Sequence, residues 1–408
     1  MTGSMRARQF ESLSSDAHLE GIAVRRQPKM NRRDIVRVMG GLGLATAGVV
    51  VLGKRAAAYQ EAPASPVATP QIGPQADGTN LWKVVVGGMD PENGIEYHAF
   101  FPGEITINAG DSIWFAEEMP MFHTVTFPGA EEFPGIIVPD PEAAASGTPA
   151  AGPPQLIINP VAIMGAGDTT VDGSQLDSTT VDAFAPPGTQ WIFTFPTAGE
   201  YEYGCIPHSS VMRGKVTVQE AGSALPKDQA AYDAEAADAL AALHEQGLAE
   251  IEKYSAATPV AGSGGGTVHE VAVGAGGTTQ ARVQRFLPDE ITVKAGDTIK
   301  FVHKAEGEPH TATFVGAGET PPEDILPGAF ADGSPKFAIN PQTFLPQGGN
   351  TFNGTGYVNS GYMGLPQIGL PMEWEVTLDT PGEYVVYCIL HGNPDGTGMA
   401  GKVIVTEA

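Results

Sequence analysis

Residues 102–115 read PGEITINAGDSIWF, and 186 positions later residues 288–301 read PDEITVKAGDTIKF. FHTVTF at 122–127 returns as PHTATF at 309–314, and IINP at 157–160 returns as AINP at 338–341. AGEYEYGC at 198–205 returns as PGEYVVYC at 381–388, and MRGKVTV at 212–218 as MAGKVIV at 399–405. Blocks that recur in one order mark a duplicated domain, so any fold assigned to this chain must serve twice. At 408 residues the chain is long enough for two such domains, each with its own core.

The pattern inside each copy is that of strands. Glu104-Ile105-Thr106-Ile107 alternates with period two, Ala109-Gly110-Asp111 is a turn signal, and Ser112–Phe115 resumes an extended run. TAGEY and TPGEY are Gly-centred turns that feed another strand. The 52 Gly and 34 Pro, beside 42% hydrophobic residues, suit many short strands better than long helices. The expected fold is all-β: two tandem Greek-key β-sandwich domains, at 81–219 and 267–408, joined by a helical linker. In that linker, 220–266, Pro226 suits a first helical turn, and Tyr232, Ala236, Leu240, Leu243, Gly247, Ile251 and Tyr254 form one apolar stripe. SAATPVAGSGGGT then supplies a flexible link.

The N-terminal region is different in kind. Residues 1–29 carry no pattern. Residues 30–58 combine Arg32 and Arg33, the 15-residue apolar run Val38–Leu52, and AAA at 56–58, the parts of an export signal with a twin-arginine character. The apolar run is short for a membrane span, and an uncleaved anchor is the alternative reading. Residues 59–80 are a Pro/Ala-rich tether. These features predict a periplasmic, extracellular or cell-surface protein. The first 58 residues hold 10 Lys/Arg against 4 Asp/Glu, whereas the rest holds 12 against 43. Such an acidic body repels nucleic acid and anionic lipid and favours a partner that is basic at its contact surface.

The repeat also selects the chemistry. His123 aligns with His310, Cys205 with Cys388, His208 with His391 and Met212 with Met399, while His98, His244, His269 and His303 have no repeated histidine partner and read as surface or packing residues. Two imidazoles and a thiolate, with a thioether as a weaker axial donor, suit one-electron copper chemistry. Cys-x-x-His lets one loop turn two donors to one point, and the Met follows where that loop closes. Met119 and Met121, beside His123, read as apolar cover. In an oxidising compartment the competing reading of two cysteines is one disulfide, but here each cysteine has its own His and Met.

On these residues both copies resemble cupredoxins, the blue copper proteins such as plastocyanin, halocyanin and azurin. The resemblance implies an eight-stranded Greek-key sandwich with copper near one end, and electron transfer with other redox proteins as the activity. By position it implies two type 1 copper sites, His123, Cys205, His208 and Met212 in the first domain and His310, Cys388, His391 and Met399 in the second. The chain departs from the pattern in several places. The His-to-Cys gaps are 82 and 78 residues, where crossing the intervening strands needs roughly 40 to 50, so each copy carries an insert. Three residues separate His208 from Met212, but seven separate His391 from Met399. Thr124 and Thr311 follow the upstream histidines, where many relatives have Asn. Two-domain copper oxidoreductases share this fold, but they place histidines beside the thiolate, and here Gly204 and Ile206 flank Cys205 while Tyr387 and Ile389 flank Cys388. A copper-binding or structural surface protein is the third class.

Overall fold

The computed structural model describes residues 69–119, 121–145, 155–181, 185, 189–256, 259–261 and 266–408. The export-signal stretch lies outside the described residues. Each copy forms two sheets packed face to face. In the first copy one sheet runs Gly73–Pro74, Asn80–Val86, Ser112–Ala116, Trp191–Thr194, with Phe100–Phe101 added to Asn80–Val86. The other runs Asp177–Ser178, Thr126–Phe127, Gly199–Gly204, Arg213–Gln219, Glu104–Asn108. Alternation along these strands sends Val84, Phe115, Phe127, Phe193, Tyr203 and Val216 into one core. The second copy repeats the scheme around Val273, Phe301, Phe314, Trp374, Val376 and Val403.

The duplicated aspartate of each AGD turn ties its sandwich together. Asp111 is buried and accepts hydrogen bonds from the Asn80 amide (2.7 Å), the Asn108 amide (3.1 Å) and the Trp82 indole (3.0 Å). Asp297 accepts from the amides of Thr267 (2.9 Å) and Lys294 (3.0 Å), and its Oδ2 lies 3.1 Å from Nε2 of His269. His269 is therefore a packing histidine. His244 makes a helix-to-strand contact, with Nδ1 2.9 Å from the Tyr97 hydroxyl.

The linker helix spans Gln229–Tyr254 and starts later than Pro226, because the Asp228 side chain accepts from the Ala231 amide and caps it. Tyr232, Leu243 and Gly247 of its stripe are buried, whereas Leu240 is 40% exposed. Gly247 allows close approach, since a Cβ there would come within 2.7 Å of Ile95. The helix covers a third core of Ile95, Tyr97, Phe101, Leu243, Val283 and Leu287, drawn from both copies.

The two copies meet through equivalent positions. Ile95–Tyr97 leaves the first sandwich and pairs antiparallel with Ala281–Leu287, placing Glu96 opposite Arg282 and Ile95 opposite Val283. Residues 95–97 and 281–283 correspond at the 186-residue offset, so each strand pairs with its own counterpart. The inserts do the same: Leu156–Ile158 and Pro335–Ile339 pair through Ile157 and Ala338, equivalent residues of IINP and AINP, within a four-stranded sheet shared by both copies. Self-complementary pairing of this kind is the signature of a two-fold interface, here built within one chain.

Candidate metal centres

In each copy the candidate ligands lie in or beside the strands of one sheet. Gly199–Gly204 pairs with Arg213–Gln219 in a register that sets Gly204 opposite Arg213. Cys205 and Met212, the next residue on either side, then lie together, the Cys205 amide donating to the Met212 carbonyl at 3.1 Å. The amides of Val211 and Met212 both donate to the His208 carbonyl, at 3.1 and 2.9 Å, which closes the Cys-x-x-His loop. His123 arrives from the segment before Thr126–Phe127, whose Thr126 pairs with Gly204. Its Nδ1 lies 3.1 Å from Nδ1 of His208, and Cys205 Sγ lies 3.6 and 3.5 Å from these two nitrogens.

The second copy reproduces this cage. His310 and His391 bring their Nδ1 atoms to 3.0 Å, with Cys388 Sγ at 3.7 and 3.4 Å. The longer His-to-Met stretch does not displace Met399. Gly382–Gly392 and Gly398–Thr406 run on as a hairpin, with Gly392 opposite Gly398. The extra residues form its turn, where the Asn393 amide donates to the Thr397 carbonyl (2.9 Å) and the Thr397 amide to Asp395 (3.0 Å). Cys205, Met212, Cys388 and Met399 are all buried within their sandwich cores, and both cysteines are free thiols, which overturns the disulfide reading.

Thr124 and Thr311 have a definite task. Their amides donate to the cysteine sulfurs at 3.4 and 3.3 Å, and their hydroxyls accept from the amides of Ile206 and Ile389, each at 2.9 Å. The threonine thus holds both the sulfur and the amide of the residue that follows the cysteine. Burial pushes the Cys205 thiol up to about 12 and Cys388 up to about 11, and holds His123 down at about 4. Burial also lowers His208, His310 and His391. Near neutral pH the histidines therefore present lone pairs, and the sulfur needs a cation to become a thiolate. A soft divalent or monovalent metal fits this donor set.

Several contributors escape a ligand search. Gly87 and Gly274 adopt φ of +63°, and a Cβ on either would land on the ring of His123 or His310. Their matching places in VVVGG and VAVGA were the available signal. Gly87→Val and Gly274→Val should each displace one imidazole and cost about 1–3 kcal/mol in strain, with that domain alone losing copper first to a chelator; unchanged retention would show that the ring has other room. His98 packs, but on the site itself: its ring stacks on His208 with centroids 3.7 Å apart at 23°. His303 is buried, with Nε2 2.8 Å from the Glu308 carbonyl.

The model of copper binding proteins of the plastocyanin/azurin family matches residues 90–219. The chloroplastic plastocyanin of Oryza sativa subsp. indica is 34% identical over 155 residues, spanning 37% of this chain and 74% of the relative. The chain belongs to the plastocyanin/azurin family. The oxidised plastocyanin of Dryopteris crassirhizoma is 19% identical, with 34% of this chain and 99% of that one covered at a TM-score of 0.19. A copper-containing nitrite reductase from Thermus scotoductus is 14% identical, with 80% and 68% covered at a TM-score of 0.19. Membership places this chain among the copper-binding cupredoxins, and the two cages are groups of side chains that could hold a metal ion.

Proposed function

We propose that the chain is an exported electron-transfer protein holding one type 1 copper in each domain, with His123, Cys205, His208 and Met212 as one ligand set and His310, Cys388, His391 and Met399 as the other. The observation that carries this reading is the duplicated His–Cys–His cage, its cysteine and upstream histidine buried and its downstream histidine half-buried, with a core methionine beside it. Copper in such a donor set supplies one-electron exchange between Cu(I) and Cu(II). The chain's own residues supply fixed geometry: strand pairing places cysteine against methionine, and the threonine amide holds the sulfur. Packed donors have little freedom to rearrange when the charge changes, which favours rapid exchange. The acidic body favours a redox partner with a basic contact surface, and the twin-arginine stretch supports an extracytoplasmic place of work.

Copper titration tests the reading. Metal-free protein should take up two equivalents, develop intense colour and bleach reversibly on reduction. Because both thiols titrate far above neutrality, uptake at pH 7 should release about one proton per copper into a weakly buffered solution. A colourless wild type with both thiols oxidised would remove the copper reading, and dioxygen consumption with a reductant would move the chain to the oxidoreductases.

A further inference from the structure

The pairing of the copies brings His208 of the first cage near Glu308 of the second copy, and Glu308, like His98, has no equivalent in the other copy. At the place occupied by Met121 in the first copy, immediately before the sequence pair FHTVTF and PHTATF, the second copy has Glu308. Its side chain is 5% exposed. Oε1 accepts a hydrogen bond from Gln284 Nε2 at 2.6 Å and lies 3.6 Å from Nε2 of His391. A Glu308 oxygen, a ring nitrogen of His208 and one of His98 all lie within 4.8 Å of one another. Oε2 is buried without a hydrogen-bond partner among the described residues, a costly state for a carboxylate. Around it, Glu96 reaches His98 at 3.2 Å, and the buried Arg282 donates to the backbone carbonyls of Gly277 and Glu306.

In both cages the Nδ1 atom of the downstream histidine faces the sulfur, so a bound metal takes Nδ1 and leaves the proton on Nε2. His208 and His391 then each present an outward N–H on the side of Glu308. A metal-bound imidazole regularly donates that N–H to a carboxylate. We propose that Glu308 is the shared acceptor for His208 and His391, so that the two metal pockets form one coupled unit instead of two independent carriers. Filling either pocket fixes the tautomer of one donor and the position of the carboxylate, and the other pocket senses both. Glu308 acts here as a positioning residue through the imidazoles.

This inference rests on the two-copper reading, and one cycle of variants separates the two. The reduction potential of the Cys388 centre is measured in wild type, Cys205→Ser, Glu308→Gln and the double variant. Emptying the first pocket should shift the potential when Glu308 is present and leave it unmoved in the Glu308→Gln background. If Glu308→Gln does not fold, Glu308→Asp replaces it, keeping the carboxyl but withdrawing it from His391, and the coupling should shrink. No shift in wild type, or the same shift without Glu308, overturns the proposal. So does a third metal equivalent lost on His98→Ala, which would make the cluster a metal site of its own. Absence of thiolate colour from both cysteines would fail the two-copper reading instead.

Discussion

Cys205→Ser is expected to leave one copper per chain and about half the visible absorption, and Cys388→Ser the complementary half. The intense colour of such a site comes from sulfur-to-copper charge transfer, so a hydroxyl in place of the thiolate removes colour and firm binding together. Each cysteine belongs to a separate core, so the fold of the other sandwich should survive. Serine also keeps an acceptor for the Thr124 or Thr311 amide, which limits the cost of the change to the variant site. Metal analysis counts the ions, and EPR of each single variant isolates the remaining centre for comparison with the wild-type sum. A single substitution that removed all colour would mean both thiols serve one site. No loss in either variant would mean that the colour does not arise from thiolate.

That experiment can be designed from the sequence because duplication acts as an internal control. A His, a Cys-x-x-His and a Met that recur in order, 82 and 78 residues from first ligand to cysteine, are difficult to ascribe to packing. The same logic made the strands and the sandwich legible, since period-two alternation and Gly-centred turns report backbone requirements directly. The junction between the copies was much less legible. Its strands were visible as repeats, but that Ile95–Tyr97 would pair with its own counterpart, and the inserts with each other, depends on how two surfaces match. His98 and Glu308 were hidden for a related reason. Their counterparts are Gln284 and Met121, so a search for shared residues passes over them. In a two-fold arrangement within one chain, groups lying close to the axis need only occur once, and asymmetry there carries information that repetition elsewhere does not.

Acid should unfold the copper-free chain within the window from about pH 6.5 down to about pH 4. Burial holds His123 and His303 at about 4, and lowers His98, His208, His310 and His391 as well. In the unfolded chain these imidazoles bind protons near pH 6.5. Between the two values the unfolded state binds more protons, so stability is highest above pH 6.5 and falls as pH drops toward 4. For His123 and His303 the full loss is about 3 kcal/mol each, at 1.36 kcal/mol per unit. A typical domain has only about 5–15 kcal/mol of stability to lose, and the other lowered histidines act in the same direction. Glu308 works in the opposite direction, since burial and then Glu96 push its carboxyl up and the folded state holds that proton longer. Asp177 and Asp324 are pushed up by burial too, and these three carboxyls stand against six lowered imidazoles. In the proposed sites four of these histidines would hold copper, which would have to be displaced before they can charge, so the loaded protein should keep its midpoint to lower pH. Urea unfolding of the metal-free and loaded forms at half-unit steps from pH 7.5 to 4 measures both limbs. His303→Phe, which removes a buried imidazole outside the ligand sets, should flatten the metal-free limb in part. A pH-independent midpoint in metal-free protein would mean that these histidines find protons in the folded state as readily as in the unfolded one, and that burial does not hold them neutral.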